Sequence, residues 1–264
     1  RTREGGFGPW LRPHEGHLQV PAVALHRILY ETAGMRFWPW YYLPHVLGYA
    51  GLVFLMWRVL LARGTSRVAA FGAYTVLSFL GAAAFLSSVV VGDLILMAIM
   101  LLVAHRLDAD TAPRPATRLA VALGFLVMVT SSSLGVAAAA SCFLALALTG
   151  GLRRWWWCFL PAAAVYGSWY AAYSGAQAAV SWPAVKGIPA GAVRLLGVTW
   201  REVTGLPGSD LAWGIALGVV LLGGLGWLWH QHRLRCWECA FLLTAAAYAV
   251  MVLVVRGGAG YSIN

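Results

Sequence analysis

The sequence predicts an all-α fold, a polytopic bundle of transmembrane helices, from three observations. Hydrophobic residues make up 61% of the 264-residue chain and charged residues only 11%, against about 25% charged in a soluble domain. A soluble chain of this size cannot bury so much apolar surface, so lipid must solvate part of it. Next, runs such as 120–129 and 214–226 are continuously apolar, whereas a strand of a membrane barrel alternates. In lipid a continuous apolar run satisfies its backbone groups only as a helix. Finally, four short arginine clusters punctuate the apolar stretches: Arg58/Arg63/Arg67, Arg106/Arg114/Arg118, Arg153/Arg154 and Arg233/Arg235. Every cluster can be placed on the cytoplasmic side, as the positive-inside rule asks.

The elements follow in order. Residues 18–33 carry Val20, Val23, Ala24, Leu25, Ile28 and Leu29 near helical spacing, interrupted by His26, Arg27 and Glu31. That pattern predicts an amphipathic helix lying in the interface, stopped at Gly34. Trp38, Trp40, Tyr41 and Tyr42 form an aromatic belt where the first span begins. That span covers roughly 41–62. Residues 68–105 are too long for one crossing and read as two short helices turning near 87–93. Residues 119–149 read as a second hairpin, broken at Ser131-Ser132-Ser133-Leu134-Gly135. Helices at roughly 155–173, 210–229 and 237–255 complete a set of about eight, each near the 20 residues that cross a bilayer.

This threading makes the chain a single transmembrane domain, 1–264, in the plasma (inner) membrane. Residues 1–40 and a proline-containing outer loop, 174–209, then lie on the extracytoplasmic face. The first residue is arginine and no signal peptide is visible, so the chain is expected to be a fragment lacking an N-terminal helix.

The net charge of +10 sits at segment ends rather than on one face, which argues for topology anchoring over nucleic-acid binding. The outer segments carry Arg1, Arg3, Arg12, Arg27, Arg36, Lys186, Arg194 and Arg201. Basic groups on that side break the trend. They either hold an anion or form a solvated rim, and Arg27 and Arg36 also suit snorkelling anchors.

Among acids, His14-Glu15-Gly16-His17 sets a carboxylate between two imidazoles, a proton-handling or metal-binding grouping; the bland alternative is a polar cap. Asp93 lies in an apolar context, where an acid is by default a functional candidate, unless the turn brings it to the wet surface. His232, Cys236 and Cys239 share a helix face and are soft enough for zinc, though their spacing matches no known zinc fold. The four cysteines give no disulfide framework, and Cys142 and Cys158 read as small hydrophobes. Trp155-Trp156-Trp157 reads as an interfacial belt. There is no phosphate loop, dinucleotide fingerprint or HExxH sequence.

Two stretches carry a resemblance. The first joins His14-Glu15-Gly16-His17, HRILYETAG, WPWYYLP and MWRVLLARG; the second is residues 130–175, with its Ser-Ser-Leu-Gly turn, basic loop and Trp-Tyr helix end. Together they cover under a third of the chain. They resemble a group of bacterial, actinobacterial-type multi-spanning proteins similar to GT-C-type glycosyltransferases.

The resemblance implies sugar transfer from a polyprenyl-phosphate donor on the extracytoplasmic face. Glu15 or Asp93 would act as base or metal ligand, assisted by His14 and His17. Arg27, Arg36, Lys186, Arg194 and Arg201 would hold phosphate, and Trp38 and Tyr41 would stack on sugar or line the lipid's path. A divalent metal would take Glu15 and His17. The chain departs from the group in its outer turn, GAAAFLSSVVVGDL, which offers only Ser87, Ser88 and Asp93 as polar side chains. Two other expectations remain beside transfer: a transporter or lipid flippase, and a non-catalytic membrane scaffold.

Overall fold

The structure is a computed structural model, and it describes residues 18–34, 39–81, 90–109, 112–173, 182–231 and 235–258. All the elements among these residues are helical.

Helix α1 (Val20–Ala33) opens with Pro21 in its first turn, where a missing N–H costs nothing. It ends at Gly34, whose φ of 62° is a left-handed conformation that favours glycine. Helix α2 (Pro39–Ala62) leads to a turn at Gly64, and α3 (Arg67–Gly81) and α4 (Val90–Ala109) follow. Helices α5 (Pro115–Ser131) and α6 (Ser133–Leu148) are separated by a single extended residue, Ser132, with φ −166° and ψ 171°. They pack against each other as a hairpin. Gly135 permits the close crossing, because a Cβ there would overlap the Met128 carbonyl.

Helix α7 (Leu152–Trp155), a 3-10 turn (Trp156–Phe159) and α8 (Leu160–Tyr173) form one run. Helices α9 (Trp182–Thr204), α10 (Asp210–His230) and α11 (Cys236–Gly258) complete the described chain. The sequence reading treats 174–209 as a loop; the structure instead places the 23-residue α9 inside it. Pro183 sits in the first turn of α9, where proline is tolerated, and only Pro189 falls inside the helix. Helices α9 and α10 run antiparallel in close contact. Gly197 lies against the Asp210 carbonyl and Gly214 against that of Val193.

The core is built by α4, α5, α6, α8 and α11. Phe125, fully buried, stacks on Phe159 with ring centroids 4.0 Å apart. Ala138, Cys142 and Ala145 of α6 join Cys236 and Ala240 of α11 in one cluster. Small side chains of this kind let helix backbones approach closely.

Among the described residues two helices are long and apolar enough to cross a membrane, Tyr42–Ala62 and Asp210–Leu228. The apolar helices Pro115–Ser131, Leu134–Leu148 and Cys236–Val250 are shorter. At 1.5 Å rise per residue α5 and α6, with 17 and 16 residues, fall short of the ~30 Å hydrocarbon core, whereas α11 with 23 residues does not. Helix α4 is interrupted by Asp93, Arg106 and Asp108. Among the described residues two clear spans thus stand where the sequence reading expects about eight, and the break at Ser132 divides one apolar stretch into two short helices.

The arginine-bearing connections gather at one end of the bundle. Arg63, after α2, pairs with Asp108 near the end of α4 and lies over the Trp237 ring at the start of α11, 5.7 Å from its centroid. Arg118 of α5 lies over Trp157, and the Cys158 thiol donates to the Arg118 carbonyl at 3.6 Å. Cys236 sits beside Thr149, Asp108 and Arg63, tying the end of α6 to the same place.

Candidate functional site

Helices α2, α4 and α11 do not close completely on one another. Between them lies a cavity of about 640 Å³, within the roughly 300–1,000 Å³ of ligand pockets. Along α2 it runs from Tyr49 to Leu60, about 16 Å of helix at 1.5 Å per residue. Its walls are almost wholly apolar, with Val53, Met56, Leu96, Met100 and Phe241 prominent. Leu134 of α6 also reaches it.

The two ends differ. At the arginine-bearing end the wall includes Trp237, whose buried indole N–H finds no acceptor. Behind Trp237, Arg63 donates to the Nδ1 of His105 and to its carbonyl, each at 3.3 Å, as well as pairing with Asp108. At the opposite end lie Tyr49, Tyr248 and Asp93. Asp93 stands in the first turn of α4, where a carboxylate complements the helix dipole.

Asp93 is the one charged residue among those lining the cavity. Ser132, at the α5–α6 break, lies close enough to interact with it, yet the Ser132 hydroxyl makes no hydrogen bond of full geometry. No lysine, arginine or histidine lines the wall among the described residues. The arrangement can accept a proton or a positive charge at one end of a long apolar space. Its described residues offer a phosphate no positive charge.

Of the described residues proposed from the sequence as site residues, Asp93 alone belongs to this cavity. Arg27 lies 3.9 Å from Glu31 one turn along its own helix. Arg201 pairs at 3.0 Å with Asp210 across the α9–α10 connection. Lys186, Arg194 and Arg201 share α9, with Lys186 and Arg194 exposed, but they spread over about 22 Å of helix and make no single anion site. His14, Glu15, His17, Arg36, Trp38 and His232 lie outside the described residues, as does the side chain of Tyr41. Cys236 and Cys239 are buried, and no group of three metal-ligating side chains comes together among the described residues.

Sequence reasoning missed Tyr49, Tyr248, Thr244 and Trp237 as cavity residues. They read as belt or span residues, and nothing in their spacing marks them. The Arg63–Asp108 pair joins residues 45 positions apart and likewise leaves no local signal. No family model, curated protein or solved structure matches the chain.

Proposed function

We propose that the chain is a multi-pass membrane protein with its arginine-bearing connections in the cytoplasm, and that it handles a lipid-linked substrate in the manner of a GT-C-type glycosyltransferase. The membrane part is supported by α10. Its span of 19 residues has a mean hydropathy of 2.0, yet only 6% of it is buried. A core helix of a soluble protein would be covered. Leu211, Ile215, Val219, Val220 and Leu222 are all exposed, and lipid is the solvent that makes such a surface tolerable. The meeting of the arginine-bearing connections at one end supports a common side for them.

The observation that carries the functional reading is the carboxylate in the wall of an apolar cavity. In this reading the acceptor's hydroxyl gives its proton to Asp93 as its oxygen bonds to the anomeric carbon of the donor sugar. The bond from that carbon to the polyprenyl phosphate breaks, and the phosphate leaves with the electron pair. Its charge is held outside the cavity by basic residues of the same face, Arg194 and Arg27 being the described candidates. The test uses proteoliposomes loaded with a radiolabelled polyprenyl-phosphate sugar and a lipid acceptor. Wild type should transfer label, and Asp93→Asn should lose about 10²–10⁴-fold, the span of general-base catalysis. Full transfer by Asp93→Asn would remove Asp93 from the chemistry, and no transfer by wild type would remove the reaction.

The same cavity favours a second reading, a lipid-binding membrane scaffold. Among the described residues no basic side chain lines it, and Arg201 is engaged with Asp210. Lipid bound without turnover in the same proteoliposomes would select this reading.

A further inference from the structure

We propose that the α2–α4–α11 cavity binds an amphiphile whose head group carries an amine, with the ammonium on Asp93 and the alkyl chain directed toward Trp237. This goes beyond sugar transfer, because the charge of the cavity selects its ligand whether or not chemistry follows.

Charge complementarity selects the head group. A carboxylate in apolar surroundings is costly unless a partner offsets its desolvation. Asp93 has the Ser132 hydroxyl nearby, but among the described residues no basic side chain shares the cavity wall. An ammonium supplies both the missing charge and up to three donors. A phosphate or carboxylate head would add a second negative charge beside the first, which the low local dielectric makes expensive. A neutral alcohol would gain a hydrogen bond and no ion pair.

The remaining shape fits a chain. Beyond Asp93 the wall is apolar for about 16 Å, from Tyr49 to Leu60 along α2. Tyr49 and Tyr248 line the same end as Asp93, and aromatic rings favour cations as well as apolar groups. Met56, Met97 and Met100 give the wall unbranched side chains that adapt to a flexible chain. Trp237, stacked under Arg63, closes the far end.

The full-length protein in nanodiscs is photolabelled with a diazirine-bearing dodecylamine, and the labelled residues are mapped by mass spectrometry. Label should fall on cavity residues such as Met100 and Phe241. Unlabelled dodecylamine should compete at least tenfold better than dodecanol or dodecyl phosphate. Asp93→Asn should abolish that preference, and Met97→Trp, which narrows the cavity at a partly exposed position, should reduce cavity labelling in a folded protein. Dodecyl phosphate competing as well as the amine would overturn the proposal. So would an amine preference retained by Asp93→Asn, or labelling confined to the lipid-facing surface of α10. Absence of sugar transfer alongside a retained amine preference would remove the transfer reading and leave this one standing.

Discussion

Replacing Arg63 should cost more than replacing Asp108, although the two form one ion pair. Their side chains are only 10% and 16% exposed. Breaking a buried pair by removing one partner costs about 3–5 kcal/mol; with this residual exposure about 2–3 kcal/mol is expected for Arg63→Ala, which strands the Asp108 carboxylate. Asp108→Ala leaves the guanidinium its bonds to the His105 ring and carbonyl and its place over Trp237. Each hydrogen bond to a charged group offsets about 1.5–3 kcal/mol, so a smaller net loss follows, about 1–2 kcal/mol. The double variant strands nothing. It should be more stable than the sum of the single losses predicts, by about 1–2 kcal/mol, as for residues in direct contact. Thermal unfolding in detergent reads all three. At about 2–4 °C per kcal/mol for large domains, Arg63→Ala should lower Tm by roughly 5–10 °C. Additive losses, or a larger loss for Asp108→Ala, would refute the assignment of Arg63 as the hub of this junction.

Three further outcomes are expected. Phe125→Ala, at a side chain with no exposure, should cost about 3–5 kcal/mol, read as a Tm drop larger than that of Phe125→Leu. Gly135→Ala should destabilise sharply because its Cβ meets the Met128 backbone, whereas Gly218→Ala, whose Cβ meets nothing, should gain up to about 0.5–1 kcal/mol; similar Tm shifts for the two would contradict the close α5–α6 crossing. A cysteine at Ser209 should react with a membrane-impermeant maleimide on intact cells and one at Gln231 only after permeabilisation, the four native cysteines being buried; labelling of both on intact cells would reverse the proposed sidedness.

Helix positions were legible in the sequence because apolar periodicity and local stop signals set them. Gly34, the Ser131–Gly135 interruption and the turn after α2 all act over a few residues. Helix α9 was not legible: the three prolines of 174–209 suggest a loop, yet Pro207 follows the helix and Pro183 sits where a helix tolerates proline. Asp93 stood out because an acid in an apolar stretch is rare at sequence level. Its neighbours Tyr49, Tyr248 and Trp237 did not, since the cavity is set by how three distant helices pack. The outer arginines looked like one group because they share a face of the proposed topology. The structure spreads three of the basic residues along α9 and pairs Arg201 with Asp210, a partner that proximity in the folded chain supplies and composition does not.

Helix α4 holds the sharpest internal contrast. Asp93 and Asp108 stand near its two ends, on the same scaffold and of the same residue type. Asp108 meets Arg63 and serves structure. Asp93 faces an apolar cavity with no basic neighbour among the described residues of its wall, so it contributes little to folding and carries a desolvation cost. Replacing such a buried ionisable group by a hydrophobe of similar volume is often neutral or stabilising. Asp93→Leu should therefore leave the ligand-free Tm unchanged or raise it, by up to about 1 kcal/mol in stability, the usual gain where a functional site has been relieved of a costly group. Asp108→Leu should lower it. The same Asp93→Leu protein should lose amine-directed photolabelling of the cavity. A fall of several degrees in the ligand-free Asp93→Leu protein would instead assign Asp93 a structural role through Ser132, and the case for a ligand at that carboxylate would fail.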